Sequence, residues 1–252
     1  MNIVWFKRDL RIVDHEALAM ASKRGPVLPL YIFEPMLWKE PDMSRRHHQF
    51  LKACLCELNA SLEAMGQNLI IKSGHAVDVL ESIRKRHQIQ SLWSHQETWN
   101  GWTYARDKAV NHWCHTRNIP WHQPTQNGVI RCLSDRDGWS AKWYGRMKKP
   151  VLEAPEALQS IEEASEHLPD ADELCLQSDP VATLQKGGRL AGLELLSNFL
   201  HERGEGYSKE MSSPVAAFDS CSGLSAHLAF GTVFMREVSL ACERRRQQIK
   251  EM

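Results

Sequence analysis

Three serines stand close together near the end of the chain, in SCSGLSAHLAFG (Ser220–Gly231): Ser220, Ser222 and Ser225, with Gly223 among them. Hydroxyls at a helix entrance, a glycine that admits close backbone approach and the positive end of the helix dipole together make an anion site. The same residues also make an ordinary serine cap, and spacing alone leaves both readings open. A second cluster, Lys7, Arg8, Asp9, Arg11 and Asp14, fills KRDLRIVD, the first expected strand-to-helix turn. Open α/β sheets bind ligands beyond the carboxyl ends of their strands, so this turn is a candidate ligand edge. The alternative is a salt-bridged turn in which Asp14 caps the next helix. No G-x-G-x-x-G follows the first strand, which argues against dinucleotide binding through that fingerprint.

Two other groupings carry less. His112, Cys114 and His115, with His122 beyond, invite a metal reading. Cys114 projects about 100° from His115 on a helix, and no paired cysteine completes a zinc pattern. Trp93, Trp99, Trp102, Trp113, Trp121, Trp139 and Trp143 crowd the middle of a chain that has nine tryptophans. Indoles stack on bases or flavins, but packing at a domain junction is the default expectation.

These residues need a scaffold, and the first 125 residues supply a rhythm for one. Apolar, β-branched or aromatic runs at Ile3–Phe6, Val27–Phe33, Asn68–Lys72, Ile89–Ser94 and Ile119–His122 read as strands. Between them lie helical spacings at Asp14–Lys23, Ser44–Gly66, Ala76–His87 and Thr103–Arg117. In the clearest, Leu51, Cys54, Leu55, Leu58, Leu62 and Met65 share a face, with Ser44 as N-cap and Gly66 as C-cap. Strand and helix in alternation imply a Rossmann-like, doubly wound five-stranded parallel sheet. Residues 126–188 lose the rhythm and carry Pro150, Pro155, Pro169 and Pro180, as a long surface connector does. From Arg189 helical spacing returns, and Leu224–Met252 reads as one continuing helix.

The bulk numbers bound the class. The chain has 252 residues, 42% hydrophobic and 25% charged, with 31 basic against 31 acidic side chains. This excludes a wholly basic nucleic-acid binder while allowing a local basic groove. Seven cysteines, none in a C-x-x-C pair, imply reduced and mostly buried thiols and a cytoplasmic protein. Neither a signal peptide nor a membrane span is expected.

With those residues in place, a resemblance emerges. WFKRDLRIVDHEAL (Trp5–Leu18) resembles the opening motif of the DNA photolyase/cryptochrome family, W-F-R-x-D-L-R-x-x-D-N-x-A-L, with Lys7 for the first arginine and His15 for the asparagine. Tyr207 followed by CSGLSAHLAFG resembles the family's tyrosine and T-S-x-L-S-P-x-L-x-x-G, and Tyr104–Asp107 resembles its A-R-D segment. The resemblance implies an α/β antenna domain at 1–125, an interdomain linker at 126–188 and the first helices of an FAD-binding domain at 189–252. It implies FAD contacts from Tyr207, Cys221, Ser222, Gly223, Leu224 and Ser225, with Ser222 and Ser225 donating to phosphate. It further implies an antenna chromophore of unspecified identity and, in repair members, damaged DNA as partner. There, light-driven electron donation from reduced flavin splits a pyrimidine dimer flipped out of the helix.

The departures shape the expectation. Cys221 stands where the family has threonine and is a poorer donor. Met211 stands where photolyases often carry a DNA-facing arginine. Trp102-Thr103 replaces an Asn-Glu pair that holds folate, although Glu97 is near. The family's helical domain runs roughly as long again, so the chain is read as an N-terminal portion, inactive alone and weak in FAD binding. A cryptochrome-like photoreceptor without repair, or a stand-alone nucleotide- or chromophore-binding α/β domain, are the alternatives.

Overall fold

The computed structural model describes residues 1–178 and 184–251; Pro180 of the connector and Met252 lie outside them. Five parallel strands, β1 (Asn2–Phe6), β2 (Val27–Phe33), β3 (Ile70–Ser73), β4 (Ser91–Trp93) and β5 (Trp121–His122), lie in the order β3-β2-β1-β4-β5. Helices α1 (Glu16–Ser22), α2 (Arg45–Glu63), α3 (Ala76–Arg86) and α4 (Gly101–Thr116) make the crossovers. The central strand shows why the sheet is covered on both faces. Val4 and Phe6 pack with α1 and α2, whereas Ile3 and Trp5 pack with α3 and α4. That is the two-residue alternation of a strand buried on both sides. Three of the expected strands are shorter at their starts than the apolar runs suggest.

Two helix starts differ from expectation. Ser44 has the extended backbone of an N-cap, yet its hydroxyl lies 3.3 Å from His47 Nδ1 and caps no amide. His15, not Asp14, caps α1, its Nδ1 accepting from Leu18 N at 3.0 Å. Asp14 has φ 50, accepts from Leu152 N at 3.0 Å and pairs with Arg236 at 3.3 Å. Tertiary partners took it away from the helix.

After β5 the chain forms α5 (Trp139–Met147) and then, over residues 148–178, a long irregular stretch. This stretch is not a loose connector. It lies along β3: Glu166 N donates to Ile71 O at 2.8 Å, Ile71 N to Ser165 Oγ at 3.0 Å, and Leu158 is buried. It thereby covers an edge strand that would otherwise offer free backbone groups.

The helical part comprises α6 (Arg189–His201), a 3-10 turn at Arg203–Gly206, α7 (Tyr207–Glu210), α8 (Ala217–Ser220), α9 (Ser225–Phe230) and α10 (Met235–Glu251). The single helix expected from Leu224 is thus broken at Gly231, which has φ 68. Among the described residues no helix is long and apolar enough to cross a membrane. All seven cysteines are free, but only Cys54 and Cys114 are buried; Cys56, Cys132, Cys175 and Cys242 are exposed, against expectation.

Candidate chromophore site

The two motifs that stand at opposite ends of the sequence are bonded to each other. Leu10 N donates to Phe230 O at 3.1 Å, Arg8 Nε to Ala229 O at 2.8 Å and Arg11 Nη1 to Gly231 O at 2.8 Å. The β1–α1 turn thus takes the last carbonyls of α9, groups a helix end leaves without internal partners. Gly231 makes the approach possible: a Cβ there would overlap Arg8 O and lie 2.6 Å from Asp9 Cα.

Under that joint sits a buried polar network. Asp9 Oδ1 accepts from Lys7 N at 2.7 Å, and Oδ2 accepts from His15 Nε2 at 2.9 Å and His95 Nδ1 at 2.7 Å. Burial pushes the Asp9 carboxyl up, but the two imidazoles outweigh it and hold it well below the ordinary range. His95 is pushed down to about 3, first by burial and then by His15 beside it. On the other side of β1, Arg106 of α4 pairs with Glu34 Oε2 at 2.8 Å, with Asp107 at 2.9 Å and with Glu97. Glu34, at the end of β2, is pushed up to about 7 by burial against the pull of Arg106, and its Oε1 makes no hydrogen bond. Lys7 shows what its departure from arginine costs. Its buried Nζ lies 3.5 Å from Asp107 and 3.9 Å from Glu97, over the Trp5 ring at 4.8 Å, and makes no hydrogen bond. A guanidinium fork spans such a gap between carboxylates, whereas an ammonium behaves as a point charge.

Above the network, between the sheet end and α9, opens a cavity of about 410 Å³. Trp5, Phe6, Tyr31, Trp38, Trp99 and Phe230 supply aromatic walls, with Glu34, Arg8 and Arg106 as polar points. Phe33 stacks on Trp38 at 5.3 Å and fixes that wall from behind. Such a pair contributes about 0.5–1.5 kcal/mol beyond area burial. A flat heteroaromatic ring suits this shape: apolar faces, a few fixed polar groups and a volume within the small-molecule range. A smaller, more polar cavity of about 250 Å³ adjoins it on the far side of Arg8 and Trp99.

The sequence pattern of the DNA photolyase family matches residues 2–165, which include the turn, the strands and the acidic and basic groups just described. The chain belongs to this family. It is 28% identical over 271 residues to cryptochrome-2 of Arabidopsis thaliana, covering 98% of this chain and 43% of that protein. It is 26% identical over 264 residues to the deoxyribodipyrimidine photo-lyase of Halobacterium salinarum, covering 94% and 53%. An archaeal photolyase from Sulfolobus tokodaii, solved with two FAD molecules, superposes with a TM-score of 0.74 at 22% identity, covering all of this chain and 57% of that one. The chain therefore spans about half the length of these relatives.

Within the photolyase frame, the residues expected at FAD are distributed as follows. Cys221, Ser222, Gly223 and Leu224 form the loop into α9, with Gly223 at φ 68. Arg203 holds the carbonyls of Cys221 and Ser222 at 2.5 and 3.4 Å, and Gln185 holds that of Gly223 at 2.5 Å. Ser222 Oγ accepts from Leu224 N at 3.5 Å, and the Leu224 side chain is buried. Ser225 begins α9 and also borders the aromatic cavity, so one short helix serves both places. Tyr207 is half-exposed with its ring edge-on to Phe199 at 5.8 Å. Ser220, offered as a third hydroxyl, is instead bonded to Ala216 O at 3.1 Å and buried.

His112 and His115 are exposed while Cys114 is buried, so the HWCH run gathers no ligands. Among the described residues, the three placed tightly enough to suit a metal are Asp9, His15 and His95, and their hydrogen bonds already account for each ring proton. Sequence reasoning missed His95 altogether. The one available signal was its position just beyond the carboxyl end of β4. The tryptophans also differ from expectation: Trp93 stacks on His122 at 4.0 Å and Trp113 bonds Glu81, both within the α/β part, while Trp99 lies against Arg8 beside α9. Thr103, in place of a folate-holding glutamate, is buried in the α4 cap, and Glu97 is paired with Arg106.

Proposed function

We propose that this chain is the chromophore-holding N-terminal portion of a light-driven flavoprotein. Residues 1–125 carry an antenna chromophore, 126–188 connect, and 189–252 begin the FAD-binding helical domain. The observation that carries this reading is the aromatic cavity at the carboxyl end of the sheet, closed by the same helix whose start bears the Ser-Gly-Leu-Ser loop. The archaeal relative with two FAD molecules, described as implying a light-harvesting cofactor, supports a second ring ligand in such a fold.

In this reading Trp38, Tyr31 and Phe230 stack on or border the antenna ring, and Glu34 and Arg106 meet its polar edge. Tyr207 and Cys221–Ser225 contact FAD, with the Ser222 and Ser225 hydroxyls toward its phosphates. Arg203 and Gln185 fit this role because they engage the loop carbonyls, whose partial negative charge opposes an anion. FAD bound there supplies the light-driven electron. The rest of the binding surface comes from the remainder of the helical domain. The whole protein, in the cytoplasm, repairs pyrimidine dimers in DNA under blue light.

A second reading, a cryptochrome-like photoreceptor without repair, draws on Met211, half-exposed where photolyases often carry a DNA-facing arginine, and on the neutral net charge. A light-dependent dimer-repair assay on the whole FAD-loaded protein separates the two. Loss of dimers in blue light and none in darkness is expected; no repair with FAD bound overturns the repair reading.

A further inference from the structure

The segment after β5 carries charge that its own acids do not balance. Over residues 131–149, Arg131, Arg136, Lys142, Arg146, Lys148 and Lys149 stand against only Asp135 and Asp137, in a chain whose basic and acidic totals are equal. Arg131 and Arg146 are spent inside the protein, the first on Asp107 at 3.1 Å and the second on the carbonyl of Asn127. Arg136, Lys142, Lys148 and Lys149 are exposed and make no ion pair among the described residues.

These cations border a row of rings. On the helical repeat Trp139, Trp143 and Met147 fall in one row of α5, flanked by Lys142 on one side and by Tyr144 and Lys148 on the other. Met147 is buried and roots the row in the protein. The two indoles are half-buried, tilted, with centres 6.4 Å apart, and they lie on the loop at 127–129. Trp139 Nε1 donates to Gly128 O at 2.9 Å, and a Cβ on Gly128 would overlap Trp143. Two apolar groups project beside them: Val129, 48% exposed, and Tyr144, 59% exposed and edge-on to Trp143 at 5.0 Å.

We propose that α5 and the 127–129 loop form a contact surface for an anionic lipid bilayer, with Val129 and Tyr144 entering the headgroup boundary and Arg136, Lys142, Lys148 and Lys149 facing the lipid headgroups. Aromatic edges beside cations on a short helix are the composition of an interfacial segment, which lies on a membrane without spanning it. A nucleic acid shares the charge preference but fits the rings less well. Bases stack on open aromatic faces, whereas the indoles here are committed to each other and to Gly128. An exposed aliphatic Val129 adds to a lipid contact and offers a base nothing to stack on. None of these groups lines the aromatic cavity, so the surface stands apart from the chromophore reading.

Flotation of the full chain with vesicles of phosphatidylcholine, alone or mixed with phosphatidylserine, reads the surface directly. Binding at least about tenfold tighter to the anionic vesicles is expected, since each cation near such a surface adds to the attraction. Salt at about 0.5 M is expected to release most of it. A Lys142→Glu/Lys148→Glu/Lys149→Glu variant, altered only at exposed positions, is expected to bind at least about tenfold more weakly at an unchanged melting temperature. Val129→Ser/Tyr144→Ser is expected to weaken binding at least about threefold while keeping its salt dependence. Equal binding to the two kinds of vesicle, or none, overturns the proposal. So does binding that the apolar variant leaves unchanged, which marks a site for any polyanion, or tighter binding of single-stranded DNA through the same lysines.

Discussion

Glu34 and His95 face the same sheet end and make opposite demands of the solvent. The Glu34 carboxyl is pushed up to about 7, first by burial, so the native protein holds a proton there that the unfolded chain has released. Its contribution to stability is therefore full below the ordinary carboxylate range and is lost as pH rises toward 7. His95, pushed down to about 3, refuses a proton that the unfolded chain accepts, so its contribution is full above the ordinary imidazole value and is lost as pH falls. Glu34→Gln keeps the neutral form at every pH. Relative to wild type, this variant is expected to gain roughly 1–3 kcal/mol between about pH 5 and about pH 8, at about 1.4 kcal/mol per unit of pKa. Urea midpoints at the two pH values measure it, and a pH-independent difference contradicts the assignment. Neither group was singled out from the sequence. Asp9 was visible as part of a charged turn, but its two imidazoles come from α1 and from beyond β4, and only the parallel sheet brings them within 2.9 Å.

At the scale of elements, α9 is where local and long-range forces meet. The strand and helix periods of the first 125 residues were legible because each element is buried along a regular face. The break between α9 and α10 was not, because helical spacing runs through it without interruption. The break follows from Gly231 docking on the β1–α1 turn more than two hundred residues away, a contact no local window contains. Long-range partners of its own, Leu152 N and Arg236, likewise took Asp14 from its expected cap. Gly231→Ala tests the joint. A side chain at φ 68 that also overlaps Arg8 O is expected to lower stability by about 1–3 kcal/mol and to loosen the cavity that α9 closes. An unchanged denaturation midpoint contradicts the docking.

For the whole molecule, the two motifs that resemble the photolyase family are the two sides of one interface. The family match over residues 2–165 and the relatives of about twice this length fit that arrangement. The Cys221–Ser225 loop proposed for FAD was legible as residue types but not as geometry, since its carbonyls are held by Arg203 and Gln185, which belong to no motif. The aromatic cavity was the least legible part, because its walls come from β1, β2, the turn at Trp38, the segment before α4 and α9. It is also the central claim, and a phosphate-free ring tests it without drawing on the Cys221–Ser225 loop. Titrate the chain with riboflavin, and repeat with Leu37→Trp, which fills the cavity from a half-buried turn. Saturable binding of one ring per chain, weakened at least about tenfold in the variant at an unchanged melting temperature, is the result predicted. Absence of binding, or binding indifferent to the filled cavity, contradicts it.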